Sequence, residues 1–117
     1  AKRRIAVASA PGNRRDEDLH ALGAQLAQMH DQVFICEPDP RGRPVGEAAH
    51  LLRAGAESAN AAKVEVILDE RKAIEKAVDS ASEGDLLVML VDDTEYAIQR
   101  VKGRSFRAAA PLAKADG

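Results

Sequence analysis

The sequence predicts an α/β fold whose mostly parallel sheet has at least four strands and is covered by helices on both faces. Short apolar runs alternate four times with segments of helical periodicity, in a 117-residue chain of single-domain size. The last run, Leu86 to Val91, is continuous, as in strands that are buried on both sides. A βαβα order of this kind favours parallel strands joined by crossover helices.

The first half of the chain contains two predicted strand–helix pairs. Ile5 to Ser9 is the first strand, and Asp16 to about His30 is the first helix, with acidic residues in the turn where the helix dipole favours them. Gly23 on this helix suits a close contact with the sheet. Val33 to Cys36 is the second strand, and the next helix runs from about Val45 to Asn60.

The second half continues the alternation. Val64 to Leu68 is the third predicted strand, and Asp69 is placed to cap the helix that follows it. Leu86 to Val91 is predicted to be the central strand because it is the most continuous apolar run, and a short helix follows it. Residues 103–117 show no periodicity. We therefore expect one lobe at residues 1–102 and a poorly structured tail at 103–117.

Composition argues against several classes of protein. A formal net charge of -2 gives no broad basic surface, so no nucleic-acid partner is expected. No apolar run approaches the ~20 residues that span a bilayer, and the N-terminus lacks a secretion signal. Cys36 is the single cysteine, which fits a buried core residue in a reducing, cytoplasmic setting. No histidine has metal-ligand spacing, so no metal site is expected.

Three loops are predicted to leave the sheet at the same edge, at residues 10–16, 37–44 and 91–95. The carboxyl edge of an open α/β sheet is where ligands bind. The first two loops are rich in arginine, whose planar fork of donors fits carboxylate or phosphate, and the third is acidic. A ligand carrying both charge signs, such as an amino acid, would suit them.

Simpler interpretations of the same residues stay open at this point. Arg14 and Arg15 could only form surface ion pairs with the acidic residues of the following helix, and such pairs contribute little. Asp92, Asp93 and Glu95 could be a helix cap with first-turn acids. The candidate substrate-binding residues are Asn13, Arg14, Arg15, Asp39, Arg41, Arg43, Asp92, Asp93 and Glu95.

Two familiar nucleotide-binding motifs are missing. The chain has no GxxxxGK[ST] run and therefore no Walker phosphate cradle. It also has no GxGxxG that opens a helix after a strand, which argues against a nicotinamide-dependent enzyme.

The three loops resemble those of the Mur ligase family, in its carboxyl-terminal lobe. The matching segments are APGNRRDED at residues 10–18, EPDPRGRPVGE at 37–47 and GDLLVMLVDDTEYA at 84–97. Within the family, they are most similar to the ligases that add arginine to a poly-aspartate backbone. The resemblance implies a Rossmann-like lobe that delivers an incoming amino acid, and a central lobe, absent from this chain, that binds ATP and Mg. We expect this chain alone to be inactive.

The resemblance also implies roles for individual residues, none of them a catalytic nucleophile. Arg14 matches the arginine of a Gly-Gly-Asp-Arg turn, in which Asn13 here replaces the aspartate, and Arg41 matches that of an Asp-Asn-Pro-Arg motif, in which Asp39 here replaces the asparagine. These two arginines are expected to bind the α-carboxylate or a nearby phosphate.

Weaker candidates for that role are Arg15 and Arg43. The acidic loop at 91–95, whose Glu95 falls close to a family glutamate, is expected to hold a cationic end such as a guanidinium. The other class of function that stays open is a stand-alone Rossmann-like module for small-molecule binding or regulation.

Overall fold

The computed structural model describes residues 2–60 and 62–102, and there four strands alternate with four helices. The elements are β1 Arg4–Ser9, α1 Asp16–Met29, β2 Gln32–Cys36, α2 Glu47–Ala59, β3 Lys63–Val66, α3 Glu70–Ser80, β4 Leu86–Leu90 and α4 Thr94–Val101. The strands form one sheet in the order β3-β2-β1-β4, and every pairing is parallel. The predicted α/β fold is confirmed.

Successive side chains of each strand point to opposite faces of the sheet, and helices pack against both faces. Ile5 and Val7 of β1 are fully buried against a cluster that includes residues of α3 and α4. On the other face, Ala8 packs with Val33 and Ile35 of β2 against α1 and α2. The core is aliphatic and lies in two layers, one on each side of the sheet.

The prediction that the run at 86–91 forms the central strand is wrong for the described sheet. β4 lies at its edge and pairs only with β1, whereas β1 and β2 occupy the centre. A continuous apolar run indicates that both faces of a strand are covered by helices. It does not indicate whether that strand has one neighbouring strand or two. The strands buried most completely are β1 and β2, and in β1 Ile5, Ala6 and Val7 have no exposed surface.

Two element boundaries differ from the prediction by two residues, and several others differ by one. α2 begins at Glu47 rather than near Val45, because Gly46 at its N-cap has a left-handed backbone with φ of 90°. β3 ends at Val66, two residues before the predicted end. The predicted cap is confirmed, since the side chain of Asp69 accepts a hydrogen bond from the Lys72 N–H at 3.0 Å. The predicted tail at 103–117 lies outside the described residues.

Gly23 makes a close approach, but to a helix and not to the sheet as predicted. A Cβ on Gly23 would collide with the carbonyl oxygen of Leu52, and a Cβ on Gly55 would collide with that of His20. α1 and α2 therefore pack backbone against backbone. Among the described residues, none of the helices combines the length and apolar character needed to span a bilayer.

Candidate functional site

The order of the strands creates a crevice at the carboxyl edge of the sheet. The chain runs outward from β1 through β2 to β3 and then crosses back to place β4 on the other side of β1. The loop after β1 leads to a helix on one face, and the loop after β4 leads to a helix on the opposite face. Ligands in open α/β sheets bind where strand order reverses in this way.

Arg43 ties the first two loops together. Its Nε donates to the carbonyl oxygen of Gly12 at 2.9 Å, and its Nη2 donates to that of Arg14 at 2.6 Å. Its Nη1 lies 2.8 Å from Asp16 and 2.7 Å from Glu47. These two carboxylates raise the pKa of Arg43. The predicted candidate Arg43 is therefore engaged within the protein by the loop after β1 and by the first residues of two helices.

The backbones of the same two loops also touch. A Cβ on Gly12 would collide with the carbonyl oxygen of Pro40, so only glycine fits there. Beyond Pro40, Arg41 has a left-handed backbone with φ of 54°. Asp39 stabilises this turn, because its carboxylate accepts from the Arg41 N–H at 2.9 Å and pairs with the Arg41 Nε at 3.0 Å. Both side chains of this pair are exposed.

Arg14 and its neighbour Arg15 differ in their surroundings. Arg15 donates from its Nε to Asp18 at 3.1 Å and lies 3.6 Å from Glu17, and the bond that Asp18 accepts raises the pKa of Arg15. Arg15 thus fits the surface ion-pair interpretation. The exposed guanidinium of Arg14 has no hydrogen-bond or ion-pair partner within the described part of the chain, and Asn13 beside it is also exposed.

The acidic loop combines a helix cap with an ion pair. Asp93 accepts from the Tyr96 N–H at 3.1 Å, as an N-cap does, and from the Arg71 Nη2 at 3.0 Å. These two contacts, the backbone bond first, hold the pKa of Asp93 below its usual range. The Arg71 guanidinium also lies 4.5 Å from the centre of the Tyr96 ring. Glu95 is exposed in the first turn of α4.

Glu70 is a buried residue of the site that the sequence did not predict. Its carboxylate accepts from the Ser9 hydroxyl at 2.5 Å and from the backbone N–H groups of Asp92 at 2.8 Å and Asp93 at 2.9 Å. It therefore joins the end of β1 to the acidic loop across the crevice. In the sequence Glu70 looks like any first-turn acid next to a capping aspartate, so no signal distinguished it.

Glu37 is a second buried carboxylate that the sequence did not single out. It accepts from the N–H of Gly46 at 2.6 Å and from that of Ala49 at 3.1 Å, which closes the proline-rich loop onto the start of α2. A glutamate directly after a buried strand was the available signal. Within the described residues, no cluster of three or more His, Cys, Asp or Glu side chains could hold a metal ion.

The structure brings the predicted residues together in two groups. Arg43 and the contact of Gly12 with Pro40 hold the two arginine-rich loops as one unit. The acidic loop is joined to the end of β1 through Glu70 and Ser9. Because β1 lies between β2 and β4, both groups border the same crevice.

Comparison with known proteins gives the family. The family model described as "Mur ligase, glutamate ligase domain" matches residues 1–90. The chain is 42% identical to cyanophycin synthetase from Synechocystis sp. over 86% of its length and 12% of that protein. It is 41% identical to cyanophycin synthetase from Crocosphaera subtropica, over 87% of the chain and 12% of that protein.

A third relative is less similar to this chain. The chain is 31% identical to UDP-N-acetylmuramoyl-L-alanyl-D-glutamate–2,6-diaminopimelate ligase from Aquifex aeolicus, over 85% of the chain and 20% of that protein. The chain thus spans a small part of the length of each of these relatives. The resemblance seen in the three loops is confirmed: the chain belongs to the Mur ligase, glutamate ligase domain family.

Proposed function

We propose that this chain is the amino-acid-binding carboxyl-terminal lobe of an ATP-dependent carboxylate–amine ligase of the cyanophycin synthetase type, which adds arginine to poly-aspartate. The observation that carries the proposal is the exposed Arg14 guanidinium, which makes no hydrogen bond or ion pair among the described residues and lies on a loop held firmly by Arg43. The names of the relatives, which are synthetases and a ligase, support the reaction class.

Arg14 and Arg41 would bind the α-carboxylate of the incoming amino acid or a nearby phosphate. Among residues 2–60 and 62–102, Arg41 pairs only with Asp39, and both side chains are about half exposed, at 54% and 56%. An exposed ion pair of this kind contributes about 1 kcal/mol or less, so a substrate carboxylate can replace it. Asn13 offers further polar groups beside Arg14, whereas Arg15 is already paired and makes a weaker candidate.

The acidic loop would hold the cationic end of the amino acid. Its contact with Arg71 supports this role, because Asp93 already binds a guanidinium at 3.0 Å beside an aromatic ring. Asp92 and Glu95 add negative charge on either side. An arginine substrate would compete with Arg71 for this loop.

ATP and Mg are assigned to a central lobe of the same polypeptide, because this chain has no GxxxxGK[ST] motif. ATP would supply the phosphoryl group that activates the acceptor carboxylate. The residues of this chain would bind and orient the incoming amine, which is a contribution of position and charge rather than of a nucleophile. The expected setting is the cytoplasm, and the chain alone is expected to be inactive.

Calorimetry on the full-length polypeptide tests this proposal. Arginine is titrated into the wild type and into Arg14→Ala, Arg41→Ala and Asp93→Asn, the last of which keeps an oxygen to cap α4. Arg53→Ala is the control, because Arg53 pairs with Glu57 on the outer side of α2, away from the loops at the carboxyl edge. We expect each site variant to weaken binding about tenfold or more. Unchanged binding in all three would contradict the proposal, because the amino acid would then bind elsewhere.

A further inference from the structure

We infer that Arg43 is a positioning residue, which holds Arg14 and Arg41 in place for the incoming amino acid and does not itself contact substrate. This inference rests on the function proposed above for the carboxyl edge. Arg43 joins four oxygen atoms from separate parts of the chain: the carbonyls of Gly12 and Arg14, and the carboxylates of Asp16 and Glu47.

The guanidinium of Arg43 has little capacity left for a ligand. A guanidinium has only five N–H bonds to donate, and all three nitrogens of Arg43 already bind within the protein. Its side chain is 16% exposed, whereas Arg14 and Arg41 are exposed. Two carboxylates also balance its charge. Only one N–H is left over, so Arg43 would have to release one of these four oxygens before it could bind a substrate carboxylate with two parallel bonds.

The contacts of Arg43 are well placed to orient Arg14. The two carbonyls that it binds belong to Gly12 and Arg14, so they bracket the short turn from which the Arg14 side chain projects. Arg43 is only two residues beyond Arg41, and the contact of Gly12 with Pro40 closes the unit from the other side. A planar fork is needed to reach separate oxygens in fixed directions, which lysine cannot supply.

Steady-state kinetics of the full-length ligase separate positioning from substrate contact, because the two roles predict opposite results in one variant. Asp16→Ala combined with Glu47→Ala removes two of the four oxygens that hold Arg43 and frees its charge. If Arg43 positions the loops, the Michaelis constant for the amino acid rises. If Arg43 binds the substrate carboxylate, its release from two competing carboxylates leaves that constant unchanged or lowers it.

Arg43→Ala and Arg43→Lys complete the set, with Arg53→Ala as the matched control. We expect both Arg43 variants to raise the Michaelis constant for the amino acid about tenfold or more, because small misplacements of binding groups are costly. The Michaelis constant for ATP should stay at the wild-type value. Recovery of the wild-type constant by Arg43→Lys would overturn the inference, since a point charge would then be sufficient.

A proteolysis assay on the 117-residue chain tests, without reference to catalysis, whether Arg43 holds the two arginine-rich loops in place. Trypsin cuts after Arg14, Arg15 and Arg41, and Pro44 protects the bond after Arg43, so Arg43→Ala removes no cleavage site. We expect this variant and the Asp16→Ala and Glu47→Ala pair to be cut faster in these loops than Arg53→Ala. Equal cleavage rates would contradict the inference that Arg43 holds these loops in place.

Arg14→Ala kinetics distinguish failure of this inference from failure of the proposed function. If Arg14→Ala raises the Michaelis constant for the amino acid and the Arg43 variants do not, the positioning role alone is wrong. If none of these variants changes that constant, the amino-acid site itself is wrong and the positioning role falls with it.

Discussion

Glu37 and Glu70 are buried carboxylates that bind backbone N–H groups of the loops at the carboxyl edge. A loop cannot pair these groups within itself, and an unpaired buried N–H is costly. A carboxylate accepts several such bonds at once, and each is stronger than a bond between neutral groups. The two residues therefore allow irregular loops to hold one conformation next to the crevice.

Glu70→Ala should destabilise the fold by about 3 kcal/mol, because it leaves two backbone N–H groups and the Ser9 hydroxyl without their acceptor. Urea unfolding of the chain measures the effect. Glu83→Ala is the control, since Glu83 is exposed in the turn before β4 and should change stability by less than about 0.5 kcal/mol. A similar small loss for Glu70→Ala would contradict the structure.

Cys36 should resist alkylation while the protein is folded, because burial raises the pKa of its thiol to about 12. Iodoacetamide at pH 8 should react slowly with the native chain and rapidly in urea. The folded-state pKa lies above the value of about 8.5 for an unfolded thiol. The buried, protonated thiol of Cys36 therefore contributes fully to the free energy of unfolding below about pH 8.5, and this contribution is lost as the pH rises further. Equal alkylation rates in both states would contradict the burial.

The sequence was informative about which residues carry charge at the crevice but not about their partners. The two arginine-rich loops and the acidic loop were recognisable from composition and position. The different states of Arg14, Arg15 and Arg43 depend on distances between segments far apart in the chain, such as the 2.6 Å contact between Arg43 and the Arg14 carbonyl. No local pattern contains that information.

At the scale of the elements, α1 and α2 pack through glycine. Gly23→Ala should destabilise the chain by about 1–3 kcal/mol, because the new Cβ meets a carbonyl oxygen of α2 and the two helices must separate. Alanine has a higher helix propensity than glycine by about 1 kcal/mol, which would by itself stabilise the variant. A net destabilisation would therefore come from the close packing of α1 against α2. Differential scanning calorimetry compares it with Gln25→Ala, which is exposed on α1 and should stay within about 0.5 kcal/mol. A stabilised Gly23→Ala would contradict the packing.

Asp85 fastens β4 to the start of β1. Its buried carboxylate accepts from the Ser82 N–H at 2.9 Å and from the Arg3 Nη2 at 2.8 Å, and these bonds hold the pKa of Asp85 low. The folded-state pKa thus lies below the unfolded value of about 3.9. Its stabilisation is present above that value and is lost as the pH falls through the folded-state pKa.

Asp85→Asn should therefore lower stability at pH 7, and the difference from the wild type should shrink as the pH falls below about 4. Thermal unfolding across pH 2–8 measures it. Glu83 is an exposed carboxylate nearby, and the Glu83→Gln variant is the control, whose thermal stability should follow that of the wild type. A constant difference between Asp85→Asn and the wild type over the whole range would show that the charge of Asp85 does not matter.

The order of elements was predictable, and the place of each strand in the sheet was not. The alternation of periods distinguished strands from helices, and Asp69 was recognisable as a cap. The edge position of β4 depends on the crossover from β3 to the far side of β1, which leaves no trace in the apolar run at 86–91. The start of α2 depended on the left-handed backbone of Gly46.

For the whole molecule, the sheet order has a functional consequence. It gathers loops from three distant parts of the chain around one crevice and keeps the arginine-rich pair on one side of β1 and the acidic loop on the other. That separation of charge suits a substrate with a carboxylate and a distant cation. The chain spans only 12% of the length of the cyanophycin synthetase from Synechocystis sp..

The most direct test of the account compares arginine with argininamide, which lacks the α-carboxylate, as substrates of the full-length ligase. We predict that the wild type prefers arginine in kcat/KM by about tenfold or more, as a charged hydrogen-bonded contact allows. Arg14→Ala should bring this ratio close to one, whereas Arg53→Ala should leave it at the wild-type value. A ratio that Arg14→Ala does not change would contradict the account, because the α-carboxylate would then bind elsewhere.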